Sequence, residues 1–171
     1  ADKPKEIDCL LVTHGDADHF QGLAEIFQSE GNDEPRKRLF IAPKRVYHNG
    51  LVKRPSKQDG RSLSDRELLG ETTEVDGKVC VTDLVDNLLE VPDEEMNLPF
   101  RKWKEALTAW NDRQEIEFRR LAFGDDDAFE FLERDDLEVS VLGPMPKDVD
   151  GVLGHKFVGA PPKGPRAGHE Y

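Results

Sequence analysis

The sequence is short of several residue types at once. Among 171 residues there are two cysteines, two methionines, two tryptophans and two tyrosines. Two thiols, Cys9 and Cys80, are too few for a disulfide scaffold, and free thiols in a reducing compartment are the expectation. No run of about 18 apolar residues occurs, so no segment reads as a membrane-spanning helix. The opening Ala1-Asp2-Lys3-Pro4-Lys5 lacks the apolar stretch of a secretory signal. A cytoplasmic location is therefore expected. Positive charge is scarce as well: 24 Lys and Arg stand against 36 Asp and Glu, a net charge of −12. That excludes a uniformly basic nucleic-acid binder but not a local basic groove. There is no P-loop, no serine nucleophile elbow and no internal repeat.

What is present points to an α/β domain. Hydrophobic residues make up 36% and charged residues 35%, polar for a compact fold, yet nine Phe keep the chain out of the disordered class. Ile7 to Thr13 is a nearly continuous apolar run and predicts a buried strand. Phe20, Leu23, Ala24 and Phe27 then fall at helical spacing, predicting a helix over 20–28 that stops at Gly31. A second β-type region is expected over 38–48, edged by Pro43 and closed by the Asn49-Gly50 turn. Val81, Leu84, Val85, Leu88 and Leu89 predict a helix over 79–89, with a strand over 78–81 as the rival. Phe100, Trp103, Leu107 and Trp110 share one face of a helix predicted over 99–112, with Pro99 in its first turn. Leu137, Val139 and Val141 alternate with Glu138 and Ser140, as in a half-buried strand.

From Gly143 to Gly168 there are six Gly and five Pro, which reads as a long loop at 143–171. Residues 53–130 read as an insertion within a single partial domain spanning 1–171. The chain enters its first strand at once, without an initiator Met, and ends straight after the Gly/Pro stretch. The expectation is a fragment of a longer protein.

Chemistry concentrates in Thr13-His14-Gly15-Asp16-Ala17-Asp18-His19-Phe20-Gln21-Gly22. Four potential ligands, His14, Asp16, Asp18 and His19, lie within six positions directly after the apolar run. A strand end fixes the backbone there, and imidazole with carboxylate suits zinc, iron or manganese. The plainer reading is a turn with Asp18 as a helix cap. Gly22 is expected to let the helix start close to the sheet. A second feature is the stretch from Arg36 to Lys57, with eight Lys or Arg and no acid. It is either a solvated strand edge or a phosphate-facing surface on which Tyr47 and His48 stack a base, the plainer reading being core or edge packing for Tyr47 and a turn role for His48. His48, His155 and His169 are weaker ligand candidates, and Asp125-Asp126-Asp127 reads as a solvated turn. Cys9 reads as a small buried hydrophobe.

The ten-residue stretch resembles the signature H-x-H-x-D-H-x-x-G of the metallo-β-lactamase superfamily. It matches at His14, Asp18, His19 and Gly22 and departs at Asp16, where that pattern has histidine. The aspartate variant is similar to the metallo-β-lactamase-like domain of bacterial competence (DNA-uptake) channel proteins. The stretch ending Leu142-Gly143-Pro144 also resembles a strand of that subgroup. The resemblance implies part of a four-layer αββα sandwich and a dinuclear divalent-metal centre, zinc first and manganese second. It implies His14 and Asp16 on one ion, Asp18 and His19 on another, and Asp18 as the residue that orients water or takes its proton, with the remaining ligands outside this fragment, which is expected to be inactive in isolation. The extra carboxylate at Asp16 favours harder ions and makes β-lactam hydrolysis less fitting than hydrolysis of a phosphodiester or nucleic acid. The competing expectation is a non-catalytic module of the same fold, using residues 53–130, Trp103 and Trp110 among them, as a partner surface.

Overall fold

A computed structural model describes residues 3–132, 137–149 and 151–156. The strands and helices in chain order are β1 (Lys5–Ile7), β2 (Leu10–Val12), α1 (Ala17–Ser29), β3 (Ile41–Pro43), β4 (Arg45–His48), β5 (Lys57–Gln58), β6 (Arg61–Ser62), β7 (Thr72–Val75), β8 (Lys78–Val81), α2 (Leu98–Arg113), β9 (Glu117–Arg120), β10 (Met145–Val149) and β11 (Val152–Lys156). Short 3-10 turns fill several connections. The fold is mixed α/β. The chain divides into two compact units, Ala1–Pro55 with Val85–Arg120, and Ser56–Leu84 with Leu121–Tyr171. No helix among the described residues is long and apolar enough to cross a membrane.

The first unit is built on parallel strands. β1 pairs with β3, and β2 pairs with β4, which pairs in turn with β9. Lys5 faces Ile41 and Leu10 faces Val46, so the offset is 36 in both pairs (41 − 5 and 46 − 10). The predicted strand over 7–13 is therefore one end of a longer strand interrupted at Asp8 and Cys9. The interruption falls beside Pro43, which has no N–H to give a ladder. The ladder is carried past it by Lys44 N donating to Ile7 O at 2.8 Å and Glu117 N donating to Lys44 O at 3.0 Å. The run is less buried than its composition suggests: Val12 is buried, whereas Leu11 on this edge strand is 50% exposed.

Both crossovers in this unit are helical, as parallel strands require. α1 links β2 to the β3–β4 region, and α2 precedes β9. Their apolar faces meet in one core with Val12, Val46, Val52, Leu88, Met96 and Ile116. Phe20 stacks on Trp103 at a centroid distance of 4.9 Å and touches Phe100 at 4.6 Å. Trp103 and Trp110 are core residues and contribute nothing to a partner surface. α2 starts as its sequence demands. Asn97 Oδ1 accepts the Phe100 N–H at 3.1 Å, and Pro99 sits in the first turn, where its missing N–H costs nothing. At the other end, the Glu30 carboxylate accepts Trp110 Nε1 at 3.1 Å and both Arg113 Nη groups at 2.9 Å. That fork ties the C-termini of the two helices together.

The second unit carries an antiparallel sheet of order β10-β11-β8-β7 and the small β5-β6 hairpin. Two corrections to the sequence reading fall here. The helix expected over 79–89 is absent, and the rival strand is present as β8. Asp76 and Gly77, at φ +52° and +71°, form the two-residue turn that pairs Val75 with Lys78. Both φ values are positive, as the favoured hairpin turn requires, and this commits Lys78–Val81 to a strand. The apolar spacing that mimicked a helix runs across the boundary between the units at Leu84 and Val85. The strand expected over 137–141 is also absent. Val141 donates its N–H to Asp126 Oδ1 at 2.7 Å and its O accepts the Gly124 N–H at 3.1 Å, so its backbone groups serve a turn. The Gly/Pro-rich stretch, read as loop, contains the β10-β11 hairpin. Its remainder from 157 onward lies outside the described residues.

Two glycines yield opposite predictions. Gly22 lies inside α1 with nothing within 4 Å of where a Cβ would stand, so it does not bring the helix close to the sheet. Gly22→Ala should stabilise the fold by roughly 1 kcal/mol in a denaturant titration. Gly50 has φ +81°, and a Cβ there would stand 2.4 Å from Arg120 Cδ. Gly50→Ala should lower stability by more than about 1 kcal/mol in the same experiment.

Candidate metal centre

The loop after β2 and the loop after β4 emerge side by side because Val12 and His48 are register partners in a parallel ladder. This carboxyl edge of the strands is where α/β folds collect their chemistry. Asn49 joins the two loops. Its Nδ2 donates to Thr13 O at 3.1 Å, and its Oδ1 accepts Leu51 N–H at 3.0 Å. Gly15 floors the first loop: a Cβ there would meet Phe100 Cζ at 3.3 Å, tighter than usual contact. The aromatic core thus fixes the height of the loop.

All four ligand-type residues named from the sequence lie in this loop and the first turn of α1. The His14 and His19 rings face each other with centroids 3.7 Å apart and planes tilted by 52°. His14 Nε2 stands 3.7 Å from Asp16 Oδ2, and His19 Nε2 stands 3.8 Å from Asp18 Oδ2. Both imidazoles are almost half exposed, and Asp18 is 82% exposed. The four donors form two His–Asp pairs rather than one closed ligand set. Among the described residues no group of three or more His, Cys, Asp or Glu is placed to hold an ion. The donor chemistry itself, two imidazoles and two carboxylates on one short loop, fits zinc or manganese.

The capping alternative is not what the structure contains. α1 begins at Ala17, three residues earlier than its apolar spacing suggests, so Asp16 and not Asp18 occupies the cap position. Asp16 makes no side-chain capping bond there. Its Oδ1 instead accepts a hydrogen bond from Lys53 Nζ. The Lys53 ammonium holds the Asp16 carboxyl below the usual carboxylate range. Lys53 was hidden in the basic stretch, and nothing in its spacing announced it.

That basic stretch is internally paired. Arg36 and Lys37 bond Glu34, Lys44 meets Glu6 and Asp8, Arg45 bonds Glu117, and Arg54 bonds Glu95. Arg38 Nε donates to Asn32 O. Much of the charge that looked like an island in sequence is met in space by acids outside the stretch, from Glu34 just before it to Glu117. Tyr47 and His48 do not offer faces for a base, because both are buried. Tyr47 donates its hydroxyl to Glu117 at 3.1 Å, and burial together with that carboxylate pushes the phenol up to about 12.

His48 is excluded as a ligand by its own bonds. Its Nδ1 accepts the Gly50 N–H at 3.0 Å, so the proton sits on Nε2, which donates to Asp86 O at 3.1 Å. Both nitrogens are occupied, and burial pushes its pKa down to about 4. His155 lies buried in β11 rather than in an open loop. His169 lies outside the described residues. Asp125 and Asp126 accept the Ala122 and Val141 N–H groups, as turn residues do. Cys9 is half-buried, and burial raises its thiol to about 11, which keeps it protonated and inert at neutral pH.

The His48 bonds give a pH prediction. Between its folded value of about 4 and an unfolded value near 6.5, the unfolded chain binds more protons, so stability rises with pH across that window. Acidification from pH 7 to pH 4 should remove about 3 kcal/mol through this residue. The check is the difference between denaturation curves of the wild type and His48→Gln, which should narrow by that amount as the pH falls. Set against protein-family models, curated proteins and solved structures, the chain matches none of them significantly.

Proposed function

We propose that the loop bearing His14, Asp16, Asp18 and His19 is a divalent-metal centre, and that the protein is a metal-dependent hydrolase acting on a phosphodiester or nucleic-acid substrate. The fold proposed with it is part of a four-layer αββα sandwich of the metallo-β-lactamase type. One observation carries the reading. Two imidazoles face each other at 3.7 Å across the carboxyl edge of a parallel sheet, each with an aspartate oxygen within 3.8 Å. Histidine pairs of this kind, not used in capping and not buried in the core, are what a metal needs from a protein.

A bound divalent ion supplies Lewis acidity and lowers the pKa of a coordinated water toward neutrality. The chain's own residues do the rest. His14 and Asp16 hold one side of the loop, and Asp18 and His19 hold the other. Asp16 brings a negative charge where a third imidazole would bring none, which favours oxygen-preferring cations. Asp18 is the most exposed donor and is free of the capping role, so its carboxylate serves to orient a water or take its proton.

The test uses the full-length protein with added zinc or manganese. Metal content after dialysis should be stoichiometric or higher, and bis(p-nitrophenyl) phosphate should be hydrolysed. His14→Ala and Asp18→Ala should each reduce turnover by about 100-fold or more. Absence of both metal and hydrolysis in the wild type would refute the reading.

A further inference from the structure

The bond between Lys53 and Asp16 has no structural task that the fold needs done. The loop carrying Lys53 is fixed without its ammonium. Asn97 N donates to Lys53 O at 2.9 Å, Val52 is buried in the core, and Arg54 pairs with Glu95. Asp16, for its part, stands at the cap position of α1 yet makes no cap. The helix loses a favourable end bond so that this carboxylate can meet the lysine. Lys53 reaches the His/Asp loop, while other cations of the basic stretch pair with Glu6, Asp8, Glu34, Glu95 and Glu117.

We infer that Lys53 is an internal competitor for the cation site, holding Asp16 in the metal-free protein and leaving that carboxylate when a divalent ion arrives. The inference rests on the metal-centre reading and deepens it. One carboxylate oxygen is taken by an ammonium, and the other stands near His14 Nε2. A divalent cation sharing Asp16 with that ammonium meets a like charge at contact distance. Loading therefore requires Lys53 to swing out. Lys53, 29% exposed while it holds Asp16, weakens metal binding and becomes more exposed when the site is filled. It is a positioning residue and touches no reacting atom.

Two measurements on the full chain test this. The first is the zinc Kd, by competition with a chromophoric chelator, for the wild type, Lys53→Gln, Lys53→Met and Lys53→Arg, with folding checked by circular dichroism. The neutral variants should bind zinc at least about tenfold more tightly, and Lys53→Arg should stay near the wild type because the charge is kept. The second is labelling of Lys53 in the wild type by an amine-reactive ester, read by peptide mass. Labelling should rise several-fold on adding zinc. Equal or weaker zinc binding in the neutral variants, with the wild type still binding, overturns the competitor role and leaves the metal centre standing. Labelling of Lys53 that zinc leaves unchanged or lowers does the same. No zinc binding by any of the four proteins overturns the metal centre and the competitor role together.

Discussion

Everything at the candidate centre depends on the parallel pairing of β2 with β4. The ladder places Val12 beside His48, and the two chains leave the sheet at the same height. Asn49 then bonds across the gap, so a residue of one loop supports the backbone of the other. Without this pairing Lys53 would not reach Asp16, and the His/Asp loop would be an ordinary exposed turn. The aromatic packing of Phe20, Phe100 and Trp103 supports the arrangement from beneath, with Gly15 pressed against Phe100.

Charge in this protein is organised locally. The net charge of −12 suggests a molecule that repels anions, and the stretch from Arg36 to Lys57 suggests a patch that attracts them. The basic patch is largely dispersed in space, whereas pairing leaves the net charge unchanged. Cations of that stretch are neutralised by acids up to 72 residues away, as Arg45 is by Glu117. One cation of the stretch, Lys53, meets the His/Asp loop, where it pairs with the carboxylate of Asp16.

Much of the fold was legible because it is carried by local rules. The face formed by Phe100, Trp103, Leu107 and Trp110, with Pro99 in the first turn, specified α2 to within a residue or so at each end. The ligand-type residues were legible because four of them crowd one strand end. The failures have a common cause. Helical spacing over 79–89 was genuine as a pattern, but its members belong to two different units. The Asp76-Gly77 turn, a two-residue hairpin signal, was the stronger local instruction. Asp59-Gly60 gives the same instruction to β5 and β6, again with positive φ at both positions. The alternation at 137–141 put Leu137 on a buried face, where the structure leaves it exposed, and said nothing about where Val141 would send its backbone bonds. β9, four residues between helix and loop, carried too little pattern to be read.

The sequence alone determined which side chains stand at the end of the first strand, because consecutive residues after a strand cannot be far apart. It also determined the apolar faces of α1 and α2, because helical periodicity is a property of neighbours. Only the tertiary structure decided that Asp16 would turn to Lys53 instead of capping its helix. It alone decided that His48 would bury both nitrogens in backbone bonds, and that Tyr47 would point to Glu117 instead of to solvent. Those outcomes depend on partners 2 to 70 residues away, brought into range by the register of the parallel sheet and the packing of the core. Periodicity and spacing report a residue's own neighbourhood and are blind to that distance.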